Sequence, residues 1–239
     1  RAAKTARQIR LAGWQSSYPV FNVPRGGIIP ATMRDMLISG GTIFTPDGQV
    51  VGDVLIRDGK ISQLIPHNSK LTPQSDLQHI DATGLLVFPG LIDCHVHFRE
   101  PGLEHKATMA TESRSALAGG VTTVCEMPNT IPPTVTVAAL ADKVRRANLI
   151  AQNSKLTTDI RFYFGVTEPA HLLTLRQLWT SDSAELKRLK ARCSGVKLFL
   201  DHSTGNQKID AGMVEDVLKT CAELSIPVIA HCEDPLING

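Results

Sequence analysis

Two histidines, His95 and His97, stand one residue apart at the end of an apolar segment, and Arg99 follows two residues later. In a β-strand alternate side chains share a face, so both imidazoles would point to one side, together with Asp93. Two imidazoles on one face can bind one divalent ion at about 2.0–2.1 Å. We interpret the pair as a metal site; the alternative is two hydrogen-bonded core histidines. Cys94 and Val96 would then face the opposite side.

Two more candidates lie at later strand ends. His231 ends the apolar segment "VIAH" and is either a further metal ligand or a core histidine. Lys197 lies inside "GVKLFL", where an ammonium group is costly to bury. Its side chain could extend to a carboxylate. Alternatively, burial lowers its pKa, and the neutral amine could add CO2 to form a carbamate, an anionic ligand able to bridge two ions.

Composition limits the class of protein. The 239 residues are 42% hydrophobic and 20% charged, as in ordinary globular proteins. A net charge of +2 and 5% aromatic residues do not favour a nucleic-acid partner. No apolar run approaches the ~20 residues that span a bilayer, which argues against a membrane protein. Five widely spaced cysteines without a CxxC pair predict a reducing compartment, the cytoplasm.

The first 35 residues form a basic N-terminal extension. Residues 1–34 contain six basic and no acidic side chains. This pattern is typical of an organelle-targeting segment, but an upstream extension that precedes a start near Met33 or Met36 is the interpretation we prefer.

The elements that must position the candidate residues fall into two regions. Residues 36–85 read as short strands and turns, including a hairpin turn at Asp58-Gly59, and predict part of a small β-sandwich-like domain. Residues 86–239 alternate between strands and helices, which predicts an α/β fold with a parallel sheet. The five predicted strands lie at about 86–97 (a buried apolar segment), 121–128, 159–166, 195–200 and 227–232.

Two architectures fit this alternation. One is an open doubly wound sheet, and the other is the N-terminal part of a (β/α)8 barrel, also called a TIM barrel. No G-x-G-x-x-G or P-loop follows a strand, which weakens the first. The polar candidates all stand at the carboxyl ends of strands, where TIM barrels build their active sites. We therefore predict a TIM barrel of which about five strands are present.

Four segments, "GLIDCHVHFREPG", "AGGVTTVCEMPNT", "GVKLFL" and "VIAHCE", resemble the amidohydrolase superfamily and, within it, the dihydroorotases. The resemblance runs from about Met36 to the end of the sequence. It implies two Zn²⁺ ions in each active site. His95 and His97 would bind the more buried ion and His231 the other. Lys197, carboxylated by CO2, would bridge both ions and act in catalysis.

The resemblance also assigns Arg99 and Asn129 to the carboxylate of the substrate. An arginine offers a planar fork to a carboxylate, and an asparagine amide can add a donor. The implied reaction is reversible hydrolysis of the cyclic amide of dihydroorotate to N-carbamoyl-aspartate, in de novo pyrimidine biosynthesis. Alternatives for Arg99 and Asn129 are a surface ion pair with Glu100 and local turn chemistry. Members of the family often form homo-oligomers.

The family pattern has two further site residues, a histidine after strand six and an aspartate after strand eight. Neither falls within these 239 residues, so we expect the remaining strands to belong to a longer polypeptide or a companion fragment. Other cyclic amidohydrolases, allantoinase and dihydropyrimidinase or hydantoinase, share the H-x-H and the lysine. Arg99 favours the carboxylated substrate over theirs. A non-catalytic dihydroorotase-like scaffold is a further alternative.

Overall fold

The computed structural model describes residues 35–67, 76–153, 158–202, 206–233 and 237. The basic extension predicted for residues 1–35 lies outside the described residues, except for Asp35. Within the described part of the chain, no helix is both long enough and apolar enough to cross a membrane. All five cysteines are free thiols.

The first sheet is built mainly from local hairpins. Its strands are β1 (Met36–Thr45), β2 (Gly48–Arg57), β3 (Lys60–Pro66), β4 (Gln78–Asp81) and β5 (Leu86–Val87). Strands β1, β2 and β3 are antiparallel neighbours, whereas β4 and β5 each pair in parallel with β1. The predicted hairpin turn is confirmed: Asp58 and Gly59 have φ of 50° and 69°, as a tight turn with two left-handed residues requires.

The second sheet has five parallel strands. They are β6 (Leu91–Val96), β7 (Val121–Glu126), β8 (Asp159–Gly165), β9 (Cys193–Phe199) and β10 (Val228–His231), and their spatial order follows the chain. The connecting helices are α1 (Met109–Ala118), α2 (Val137–Asn153), α3 (Pro169–Thr180), α4 (Ala184–Lys190) and α5 (Val214–Glu223), the last preceded by a 3-10 turn at Ala211–Met213. Parallel strands in sequential order with a helix at each crossover confirm the prediction of a (β/α)8 barrel architecture.

The main hydrophobic core lies between the helices and the outer face of the second sheet. Alternate residues of β8, Ile160, Phe162 and Phe164, are almost fully buried there, and Val196 and Leu198 of β9 join them. The intervening residues face the inner side of the barrel. Helix packing therefore fixes which side chains of each strand can reach a site on the inner face.

The segment 86–97 does not form the single buried strand that we predicted. Leu86 and Val87 pair with Thr42 and Ile43 of β1, and β6 begins only at Leu91. Pro89 and Gly90 separate the two strands, consistent with the poor fit of both residues to a strand interior. Leu86 in β5 and Leu91 in β6 are both about 60% exposed, and β6 is an edge strand of the described sheet. The apolar composition misled the prediction.

Candidate active site

Three of the predicted metal ligands meet at the carboxyl ends of the parallel strands. His95 lies in β6, His97 follows that strand, and His231 ends β10. The ring centroids of His95 and His231 are 4.9 Å apart, and those of His95 and His97 are 5.4 Å apart. In a flat sheet, strands four places apart would be separated by about 19 Å. The contact therefore depends on the curvature of the sheet, which brings its two edges to face one another.

A β-bulge positions the two histidines of β6. Asp93 pairs with Val124 and Val96 pairs with Glu126, so three steps along β6 correspond to two along β7. The extra residue breaks strict alternation. The prediction that Asp93 shares a face with His95 and that Cys94 faces the helices is therefore wrong. Val96 packs against the helix-side core, as predicted. The carboxylate of Asp93 instead accepts a hydrogen bond of 2.9 Å from the backbone N–H of His95.

His97 is held by Asn129. The distance from His97 Nδ1 to Asn129 Oδ1 is 2.9 Å, and Asn129 is 4% exposed. Burial, helped by the nearby charge of Arg99, lowers the pKa of His97 to about 4. The ring is therefore neutral near pH 7, with Nδ1–H donating to the amide oxygen. This tautomer presents the Nε2 lone pair, the form in which an imidazole binds a metal.

Lys197 lies inside β9 and is 1% exposed. Its Nζ is 4.7 Å from the centroid of the Phe199 ring. Burial lowers the pKa of this amine, although the nearby Cys232 and Glu233 partly oppose the effect. Among the carboxylates that the structure describes, none forms an ion pair with it. Lys197 Nζ thus makes no direct contact with a described carboxylate, although Glu233 is close enough to act on its pKa.

The arrangement fits a metal centre of a particular kind. Two imidazoles on one tetrahedral ion have ring centroids about 5 Å apart, given metal–nitrogen distances of about 2.0–2.1 Å. The 5.4 Å between the rings of His95 and His97, the pair expected on one ion, agrees with this spacing. Within the described part of the chain, no three His, Cys, Asp or Glu side chains form a group that could hold one ion. Such a group is not required if the histidines are divided between two ions and Lys197 supplies an oxygen ligand.

Arg99 has a strained backbone. Its φ is 66°, in the left-handed region, where a residue other than glycine costs about 1–3 kcal/mol. Its carbonyl oxygen accepts a 3.0 Å hydrogen bond from the N–H of Leu103. The charge of Arg99 is, after burial, the second cause that lowers the pKa of His97. Arg99 therefore lies in a turn after the end of β6 and, contrary to the sequence prediction, does not continue the alternation of that strand.

A buried ion pair escaped the sequence analysis. Glu126, the last residue of β7, contacts Lys143 of α2, and both side chains are 1% exposed. Lys143 Nζ also donates to the carbonyl oxygen of Met127 at 3.0 Å. A signal was present in the sequence, since Lys143 shares the apolar face of α2 with Leu140 and Ala147, three and four residues away.

The chain is similar to a known protein family and to curated proteins. Residues 86–237 match the family model described as "Amidohydrolase family". The chain is 39% identical over 207 residues to a dihydroorotase of Shouchella clausii, which covers 85% of the chain and 43% of that protein. A dihydroorotase of Listeria innocua is 36% identical over 205 residues, with the same coverage. The chain thus spans less than half the length of these curated relatives.

Solved structures with a similar fold include hydantoinases. The L-hydantoinase (dihydropyrimidinase) from Arthrobacter aurescens matches with a TM-score of 0.70 and 27% identity, over 86% of this chain and 42% of that one. The D-hydantoinase (dihydropyrimidinase) from Thermus sp. matches with a TM-score of 0.60 and 27% identity, over 83% of this chain and 40% of that one.

Proposed function

The chain belongs to the amidohydrolase family, and from this membership we propose that it carries part of the active site of a metal-dependent dihydroorotase. The proposed reaction is the reversible hydrolysis of dihydroorotate to N-carbamoyl-aspartate. The observation that carries the proposal is the convergence of His95, His97 and His231 at strand ends, with the buried Lys197 inside the neighbouring strand β9. The identities of 36% and 39% to dihydroorotases support the choice of substrate.

The donor set suits two zinc ions. His95 and His97 would hold one, His231 the other, and a carbamate on Lys197 would supply an oxygen ligand to both. Bound ions of this kind lower the pKa of water and polarise a carbonyl group. Asn129 holds the ring of His97 in the tautomer that leaves Nε2 available, and the lowered pKa of Lys197 favours the neutral amine that reacts with CO2.

Arg99 would provide substrate selectivity. Dihydroorotate carries a carboxylate beside the ring amide that is hydrolysed, and a guanidinium binds a carboxylate through two parallel hydrogen bonds. Because Arg99 lies near His97, it would place that amide next to the metal ligands. Asn129 is the second candidate for this carboxylate, through its amide nitrogen. The hydrolysis adds the oxygen of water to the amide carbon and delivers a proton to the leaving ring nitrogen.

Hydantoinase or dihydropyrimidinase activity is the second candidate, favoured by the structural matches at 27% identity. Ring opening of dihydroorotate, dihydrouracil, hydantoin and allantoin by the full-length protein would separate the possibilities. We expect dihydroorotate to have the highest kcat/KM. Turnover of dihydrouracil or hydantoin without dihydroorotate would contradict the proposal. Absence of all four activities, with less than one zinc per protomer, would indicate a non-catalytic scaffold.

Cytoplasmic location, homo-oligomeric assembly and a place in pyrimidine biosynthesis remain predictions that rest on the resemblance and the cysteine pattern. Size-exclusion chromatography with light scattering of the full-length protein would measure the oligomeric state directly.

A further inference from the structure

The two residues that flank Arg99 in the chain both interact with helix α2. Glu100 does so directly, and Phe98 does so through Glu126. On one side, the buried Phe98 has its backbone close enough to the carboxylate of Glu126 to help lower the pKa of that group, and Glu126 pairs with Lys143 of α2. Glu100, on the other side, pairs with Arg146 of α2 at 3.1 Å. Lys143 and Arg146 are three residues apart and so lie on neighbouring positions of one helix face.

The buried pair ties strand ends together behind the site. Besides Glu126, Lys143 bonds the carbonyl oxygen of Met127, and the N–H of Met127 donates to the carbonyl oxygen of Val96 at 3.0 Å. A buried ion pair is seldom more stabilising than two apolar side chains of similar volume. Stability alone therefore gives little reason for a glutamate and a lysine here. Their contacts instead fix the backbone at the point where the chain leaves β6 for Arg99.

The second side is equally constrained. The other carboxylate oxygen of Glu100 accepts a 3.0 Å hydrogen bond from the N–H of Met109, the first residue of α1. Arg146 Nε is in turn held by Asp142, at 2.7 Å, within the same helix. Glu100 thus contacts both α1 and α2, and these two contacts fix its position relative to α2.

We propose that Lys143 and Arg146 are positioning residues, which act through Glu126 and Glu100 to hold Arg99 in its left-handed conformation and thereby set the affinity for the substrate's carboxylate. This inference rests on the proposed function of Arg99. A left-handed non-glycine residue persists only where its neighbours over-determine the backbone. Without these two anchors Arg99 relaxes, and the apparent affinity falls in proportion to the fraction of protein in the competent conformation.

The decisive variant is Arg146→Met in the full-length protein, because Arg146 is 32% exposed and its loss should not prevent folding. We expect the KM for dihydroorotate to rise about tenfold with little change in kcat. The kcat/KM for dihydrouracil, which has no carboxylate, should stay within twofold. Arg146→Lys should recover much of the loss. The matched control is Arg176→Met, which breaks a 2.8 Å pair with Glu223 between two other helices and should leave both substrates unaffected.

The double variant Glu126→Gln with Lys143→Met removes the buried charges together and should give the same rise in KM. If it fails to fold, Arg146→Met alone decides. Crystal structures provide a readout that does not depend on substrate: Arg99 should leave the left-handed region in Arg146→Met. A retained positive φ with an unchanged KM would overturn the inference. If the wild-type protein does not turn over dihydroorotate, the proposed function is overturned instead. The conformation of Arg99 in Arg146→Met would still test the positioning role.

Discussion

The two sheets of this molecule are built by different means. In the first sheet, β1 to β3 are consecutive strands joined by turns of two residues, and paired residues are at most 20 positions apart in the chain. In the second sheet every pairing crosses a helix, and β6 meets β10 only through the curvature of three intervening strands. The candidate ligands all belong to the second sheet or follow its strands.

The difference indicates a separation of tasks. Local turns can give the first sheet its register without reference to the rest of the fold. The second sheet gathers side chains that are more than 130 residues apart in sequence, such as His95 and His231. Variants of the site residues at the strand ends of the second sheet should therefore alter activity more than stability, and variants of the turns of the first sheet should do the reverse. Four experiments test this contrast, in decreasing order of expected effect.

The largest effect is expected from Lys197→Ala. It removes the proposed carbamate, so kcat should fall by at least about 10³-fold, and a short carboxylic acid should restore part of the activity by supplying an oxygen ligand. Steady-state kinetics and thermal unfolding of the full-length protein would measure both effects. The control Lys219→Ala, whose side chain is 64% exposed in a surface pair with Glu215, should be neutral. Full activity in Lys197→Ala would rule out the bridging role.

Metal removal should come next. A chelator should reduce activity by about 10²-fold or more, and added zinc should restore it. His95→Ala and His231→Ala should each lower the zinc content measured by mass spectrometry. The exposed His105, in the segment between β6 and α1, supplies the control His105→Ala. Equal zinc content in His95→Ala and the wild type would contradict the metal site at this position.

Arg99→Ala should act on one substrate class. Two charge-assisted hydrogen bonds are lost, so kcat/KM for dihydroorotate should fall about 10²-fold, whereas turnover of dihydrouracil should not change. A variant that loses both activities equally would show that Arg99 supports the fold and not the carboxylate. Arg99→Gly provides a useful partner, since it removes the guanidinium and also relieves the positive φ.

The smallest effect is expected in the first sheet. Gly59→Ala places a side chain at φ of 69° in the hairpin turn, and the free energy of unfolding should fall by about 1–2 kcal/mol with unchanged kcat/KM. Urea unfolding would measure this change. In the control Gly119→Ala, the residue has a φ of −87° and the new Cβ would lie 3.5 Å from its nearest neighbour, so little loss of stability is expected. A drop in activity in Gly59→Ala would break the proposed separation.

Several features of the fold could be read from local signals. The Asp58-Gly59 turn, the end of α1 at Gly119-Gly120 and the strand–helix alternation after residue 86 all appear in the structure, with strand ends shifted by about two residues. The segment 86–97 shows the limit of such signals. Its apolar residues indicated one buried strand, but Pro89-Gly90 divides it between two sheets and edge position leaves much of it exposed.

Some features of the candidate site could be predicted from the sequence, and others could not. The spacing of His95 and His97, and the presence of a lysine within "GVKLFL", were sufficient to suggest metal chemistry. The bulge in β6, the hydrogen bond from His97 to Asn129 and the Glu126–Lys143 pair could not be deduced, because each depends on register or packing between segments distant in sequence.

The sequence by itself determined the strands, the helices and the residue types that can bind a metal, since these follow from periodicity and turn chemistry over a few residues. Only the tertiary structure decided that His95 and His231 face one another, because that contact requires the curvature of five strands. It also decided the conformation of Arg99, since a left-handed arginine is stable only when neighbouring groups hold it.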